Sequence, residues 1–274
     1  MMNGLFQDNR FLKFFKCRRI CLILISTFIC LFILNSCDLP TAPGPQPKTL
    51  IETDFETQLN IFGVLRADSV AGSSFIHVER AVTTSQMYTG EGVIDTTATV
   101  LVTDSLSGEV FRFEPIEDSL HAGYYYNAGF TAIAGRCYFL EVSSGDLPTL
   151  TGVTAVPTRP QVAENSLILN DEELRFTLRL TADTDQYICY LLAADNYVQK
   201  QILNHGGATA TITFSLTELG AAPVGLMIVG YDSNLMVYSN STPSFIPQTY
   251  HEIVSTVENG YGCFGSLAVT TLKF

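Results

Sequence analysis

Tryptophan is missing from this 274-residue chain, and basic residues are scarce: 15 Lys and Arg stand against 27 Asp and Glu, a formal charge of −12. The first absence removes the ring best suited to stacking on sugars and cations. The second excludes a basic face for nucleic acid or anionic lipid. No G-x-S-x-G, H-E-x-x-H or P-loop occurs. The four histidines, His77, His121, His205 and His251, are widely scattered. The chain is therefore expected not to be an enzyme and to need no cofactor. A glycosidase-type acid pair is the alternative left open, because its carboxylates meet in space rather than in sequence.

What is present first is a leader. Arg10, Lys13, Lys16, Arg18 and Arg19 precede an apolar run, Ile20 to Leu34, broken by Ser26, Thr27 and Cys30. Leu34-Asn35-Ser36-Cys37 follows. This is the lipobox pattern after which a bacterial signal peptidase cuts and Cys37 receives lipid. The competing reading is a permanent transmembrane helix, but fifteen residues fall short of the roughly 20 needed to span a bilayer. Residues 1–36 are thus expected to be a signal peptide, and acyl chains such as palmitate on Cys37 to hold the remainder to a membrane, since each buried CH₂ adds about 0.8 kcal/mol.

Cleavage there leaves 238 residues. All but five of the Lys and Arg and all but one of the acids lie in them, a formal charge of −16. Pro40, Pro43, Pro45 and Pro47 fall within residues 37–50 and predict an extended tether rather than a helix or paired strand.

From about residue 50 the hydrophobic pattern has a period of two. Ala98, Val100 and Val102 alternate with Thr97, Thr99 and Thr103; Phe176, Leu178 and Leu180 with Arg175, Thr177 and Arg179; Ala210, Ile212, Phe214 and Leu216 with Thr209, Thr211, Thr213 and Ser215. Each set predicts a strand with one face in a core. Residues 109–114, 123–130, 137–143, 186–193 and 226–238 read as further strands, separated by Ser107-Gly108, Ser144-Gly145-Asp146, Asp183-Thr184-Asp185 and Asp232-Ser233-Asn234. A short helix is expected from Asp195 through Leu203, with Val198, Ile202 and Leu203 on one face.

The fold expected is all-β. Two consecutive Ig-like or transthyretin-like β-sandwich domains follow the tether, one over 51–158 and one over 159–274 with the short helix. Pro157 and Pro160 mark the break.

Candidate site residues each have a plainer reading. Cys137, Cys189 and Cys263 lie too far apart for a metal motif and read as buried free thiols in strands. His77 and Glu79 share a strand face as two potential metal ligands. Asp183 and Asp185 are the best candidates for calcium in a hairpin loop, although no acidic run matches EF-hand spacing; solvated turn carboxylates are the alternative. Tyr124-Tyr125-Tyr126 offers rings for a carbohydrate platform, with alternation sending Tyr125 to the face opposite its neighbours. Gly260, Gly262 and Gly265 suggest a tight turn or bulge before a closing strand, Leu267–Phe274.

Several of these stretches also resemble one family. Ala98-Thr-Val-Leu-Val-Thr-Asp104 followed by Gly108, Gly123-Tyr124-Tyr125, Gly135-Arg-Cys-Tyr138-Phe-Leu140-Glu-Val142, Ala155-Val-Pro157 and Glu258-Asn-Gly-Tyr-Gly-Cys-Phe-Gly265 are similar to motifs of an uncharacterised outer-membrane lipoprotein family, a domain of unknown function often encoded beside TonB-dependent receptors. That likeness implies a transthyretin-like or carboxypeptidase-regulatory-like first sandwich and an outer-membrane location, facing the periplasm or the surface. It also implies an accessory, non-enzymatic role with a TonB-dependent transporter. A surface adhesin or a lipoprotein binding glycan or calcium is the alternative function.

Overall fold

The computed structural model describes residues 57–68, 70–82, 93–241 and 254–274. The leader, Cys37, the proline tether and His251 lie outside the described residues. Alternation dictates the strands. In β1 (Leu59–Ala67), β2 (Phe75–Arg80), β3 (Thr99–Asp104), β4 (Val110–Pro115), β5 (Tyr124–Tyr126), β6 (Cys137–Ser143) and β7 (Leu150–Ala155), successive side chains turn to opposite faces. β3 buries Val100 and Val102, and β6 buries Tyr138, Leu140 and Val142. These side chains, with Phe113, Tyr125 and Phe130, make the first core.

A second core follows. β8 (Gln161–Val162), β9 (Ile168–Leu169), β10 (Glu173–Arg179), β11 (Gln186–Leu192), β12 (Tyr197–Leu203), β13 (Thr209–Ser215) and β14 (Gly225–Tyr231) surround Phe176, Tyr187, Phe214 and Ile228. A short helix, α1 (Leu216–Leu219), follows β13, and α2 (Ser233–Asn240) follows β14. The expected break at Pro157–Pro160 lies between the strands that line the two cores.

The chain then recrosses it. After β15 (Val257–Glu258), β16 (Gly260–Lys273) runs parallel to β1, from Leu59↔Gly260 to Ala67↔Ala268. Its later half pairs antiparallel with β14, from Tyr231↔Leu267 to Gly225↔Lys273. Phe264 and Ala268 enter the first core, while Leu272 packs on the second. The strand order is β12-β11-β14-β16-β1-β2-β5-β4-β3-β6-β7-β15, with β13-β10-β8 as a smaller sheet and β9 on β10. The described residues are mostly β-strand, as expected.

Three local expectations need correction. The segment expected as a helix to Leu203 is β12, paired along its whole length with β11. Val198 and Ile202 both pack on the second core, and a spacing of four puts two side chains on one face of a strand as well as of a helix. Periodicity there could not discriminate. Second, residues 226–238 are strand only as far as Tyr231. Asp232 instead caps α2, its Oδ1 accepting from the Leu235 N–H at 2.9 Å. Leu235 and Tyr238, three apart, share one helical face against Val64 and Cys263.

Third, the glycines lie inside the closing strand rather than in a turn before it. The left-handed residue is Asn259, at φ 58°. Gly262 has φ +106°, and a Cβ there would stand 1.9 Å from the Ile61 carbonyl oxygen. A Cβ on Gly265 would stand 2.8 Å from the Leu235 Cβ. The first glycine lets β16 approach β1, and the second lets α2 lie on β16. Gly262→Ala is expected to cost about 3 kcal/mol or more, from left-handed strain plus overpacking. Gly108→Ala, where a Cβ meets nothing within 4 Å, should cost about 1 kcal/mol. Urea unfolding of both variants checks this, and equal losses would remove the role given to close approach.

Candidate functional site

The residues singled out in sequence occupy separate places. On β5, Tyr125 points inward; its hydroxyl donates to the Asp95 carbonyl oxygen at 3.1 Å and accepts from the Ala98 N–H at 2.9 Å. Tyr124 points outward, its ring 4.3 Å from His77 and 5.5 Å from Phe75 between centroids. His77 and Glu79 do share that outer face, with Nδ1 3.8 Å from Oε1, and Glu79 also accepts from Asn60 Nδ2 at 3.1 Å. Among the described residues, no three or more His, Cys, Asp or Glu side chains gather as a metal site.

Asp183 binds its own chain: its Oδ2 accepts from Thr158 N–H at 2.9 Å and from the Thr158 hydroxyl. Burial works to raise this carboxyl, but hydrogen bonds from Thr158, Thr181 and Thr184 outweigh it and hold it below its ordinary value. The contact fastens the linker after β7 to the loop before β11. Asp185 takes part through its backbone, its N–H donating to the Tyr231 carbonyl oxygen at 3.0 Å.

The cysteines divide. Cys189 and Cys263 are buried, and burial pushes both thiols up to about 12. Cys137 is exposed, contrary to the expectation of a buried thiol. It shares a face of β6 with Phe139 and Glu141, opposite to the buried Tyr138, Leu140 and Val142.

That outer face forms the candidate site. Phe139 and Val153 stand directly opposite each other on β6 and β7 and are 48% and 51% exposed. Thr103 faces Phe139 from β3, and Thr151 faces both Glu141 and Glu258. Asn234 of α2 forms one wall, its Nδ2 donating to the carbonyl oxygens of Val153 and Phe264 at 2.7 and 2.9 Å. Together they line a cleft of about 390 Å³. A cleft of about 680 Å³ lies along β4 and β5, and several of its polar groups are engaged: Arg112 binds Glu114 at 2.9 Å, and Asn127 donates to the Arg112 carbonyl oxygen. In the smaller cleft Glu141, Glu258, Thr103 and Thr151 have no side-chain partner among the described residues. An exposed ring ringed by unengaged acceptors and hydroxyls suits recognition of a ligand or partner.

A family model described as a domain of unknown function, DUF4249, matches residues 48–223. The chain belongs to the DUF4249 family. The match covers β6 and β7, and with them Phe139 and Val153, and ends before α2 and β16. The strand motifs between Ala98 and Pro157 fall within the DUF4249 match, and Glu258–Gly265 falls beyond it. No curated protein matches the chain.

Among solved structures, similarity is found to the FN1–FN3 domains of chicken CNTN1, at 14% identity over 63% of this chain and 60% of that one, with a TM-score of 0.29. The chain thus spans 60% of that structure's length. Chicken interferon gamma receptor alpha chain matches at 8% identity over 64% of this chain and 88% of that one, TM-score 0.22. Bacteroides uniformis beta-glucuronidase 3 matches at 13% identity over 65% and 23%, TM-score 0.24. These likenesses are too slight to bear on the cleft.

Cys137 reports on the cleft face directly. Of the three cysteines in the described residues, Cys137 alone is expected to react with a maleimide in the folded protein, and Cys189 and Cys263 only after unfolding. Peptide mapping of the labelled protein reads this; modification of either buried thiol under native conditions contradicts the burial described.

Proposed function

We propose that this DUF4249 protein is a non-enzymatic binding protein of the cell envelope. Lipid on Cys37 holds it to the outer membrane, and the face of β6 and β7 meets a TonB-dependent transporter. The observation that carries the reading is the exposed Phe139–Val153 pair beside unengaged carboxylates and hydroxyls. Apolar anchors within a polar rim are how protein interfaces are commonly built. The lipobox and the proline tether support the location. They would hold an acidic body, which anionic lipid repels, clear of the bilayer.

A second reading is glycan binding by the same cleft. Phe139 offers a ring face, and Glu141, Glu258 and Thr151 offer hydrogen-bonding groups for sugar hydroxyls.

Two experiments test these readings. Mass spectrometry of the purified protein is expected to find residues 1–36 removed and Cys37 acylated; an intact leader would remove the membrane attachment. A photocrosslinker on Cys137 is expected to capture one envelope transporter in intact cells, and Phe139→Asp with Val153→Asp is expected to abolish the adduct. Capture unaffected by that double substitution would move the interface elsewhere, and glycan-array binding lost in the same variant would select the second reading.

A further inference from the structure

Asp232 is 3% exposed and sits where β7, β14, β16 and α2 meet. Its Oδ2 lies 2.5 Å from Thr154 Oγ1 on β7. Thr154 Oγ1 lies 2.8 Å from Ser266 Oγ on β16, and Ser266 Oγ lies 3.0 Å from the Ala155 carbonyl oxygen. Three contacts in series require three protons. The two hydroxyls hold one each, and the carbonyl holds none. With Asp232 ionised, at least one contact sets lone pairs against each other. A proton on Asp232 completes the series: Asp232 donates to Thr154, Thr154 to Ser266, and Ser266 to the Ala155 carbonyl. Asp232 Oδ1 still accepts from the Leu235 N–H and caps α2.

The surroundings supply no counter-charge. β7, β14 and α2 contain no charged side chain. The one on β16, Lys273, is at its far end opposite Gly225. On β1, Arg66 is held by Asp68 at 2.9 Å. Cys263, Tyr231 and Tyr238 belong to the small apolar cluster around Leu235, the residue whose N–H Asp232 accepts from. Burial raises all three, and Asp232 itself adds to the rise at Cys263. A buried charge without a partner is costly, and such a group takes up a proton instead.

We propose that Asp232 carries a proton in the folded protein and latches β7 to α2 and β16, and that this latch weakens as pH rises. Burial also pushes this carboxyl above its ordinary value, prevailing over hydrogen bonds from Thr154, Leu235 and Ser266 that favour the ionised form. The sign follows. A carboxyl raised on folding gives stability that is complete below its unfolded value, about 3.9, and is lost as pH rises through its folded value. Asp95, Asp104, Asp118 and Asp183 are all lowered, so their stabilisation is lost in the opposite direction, as pH falls. The latch holds Val153 and Asn234 on two sides of the cleft, because Thr154 follows Val153 and Asp232 caps the helix that carries Asn234. It does not require that the cleft take a ligand.

The test compares wild type with Asp232→Asn by denaturant unfolding from pH 5 to pH 9. The amide is neutral, keeps an oxygen for the Leu235 N–H and can donate to Thr154. Relative to Asp232→Asn, the unfolding constant of wild type is expected to rise by up to tenfold per pH unit until the folded value is passed, then level off. A wild-type-to-variant ratio that does not change with pH overturns the latch. Should the variant not fold, carbon-13 aspartate NMR of wild type gives the same answer. One aspartate carboxyl must stay protonated after the others have ionised, and a full set of ionised aspartates at pH 5 overturns the proposal.

Discussion

The pairing of β16 with β1 carries the described body. Leu59 and Gly260 lie side by side, although almost the whole described chain runs between them. A parallel pair needs a long crossover, and here that crossover contains both cores. Closing so long a loop costs conformational entropy before any contact repays it. The return on that closure is burial on both sides: Phe264 and Ala268 complete the first core, and Leu272 covers the second. The two cores therefore share a strand rather than only a linker. Gly262 and Gly265 follow from the same constraint, since a Cβ at either position would collide with β1 or with α2.

A strand shared in this way brings polar groups inward. The seam of β7, β16 and α2 buries Thr154, Asp232 and Ser266, and each is placed by a hydrogen bond that crosses between elements. Such a network fixes register and orientation, because an apolar substitute would slide where a hydrogen bond does not. Asn234 works at the same seam from the surface. Its amide meets the carbonyl oxygens of β7 and β16, where a further strand would otherwise be needed to satisfy them. α2 thus covers the edge of β7 beyond the two residues of β15.

Much of this was legible in sequence where one face is buried and the other is wet. β3, β10 and β13 alternate as Thr97–Thr103, Arg175–Leu180 and Thr209–Leu216 promised, because a period of two admits one orientation of the strand once its apolar side chains face a core. Legibility failed where two periods coincide. Val198 and Ile202 fit helix and strand alike, and only the register against β11 separates them. Asp232 had two valid local roles, turn and cap, and the face offered by Val64 and Cys263 decided between them. Cys137 was a different case. Its alternation with Tyr138, Leu140 and Val142 already sent it outward, but an apolar neighbourhood in sequence suggested burial. The cleft could not be foreseen, because Phe139 and Val153 become a pair only through the register of β6 and β7, and Asn234 reaches them from a helix that the sequence pattern had presented as a strand.

A sheet path with two open ends must also avoid recruiting strands from other molecules. At one end β15 is only two residues long, too short to template a partner. At the other, β12 is seven residues long and exposes Tyr197 and Leu203. Lys200, at its centre, reaches to the Thr213 carbonyl oxygen of β13, and its ammonium sits 5.6 Å from the centre of the Phe214 ring. The side chain spans from the edge of the long sheet to the edge of the small one, so a charge stands at the place where another strand would have to add. Its stem covers apolar surface while its head stays hydrated. Lys200 is the only Lys or Arg from Gln186 through Gly220. Two edges are thus closed by different means, shortness at β15 and a lysine at β12. The face of β6 and β7, by contrast, leaves Phe139 and Val153 about half exposed.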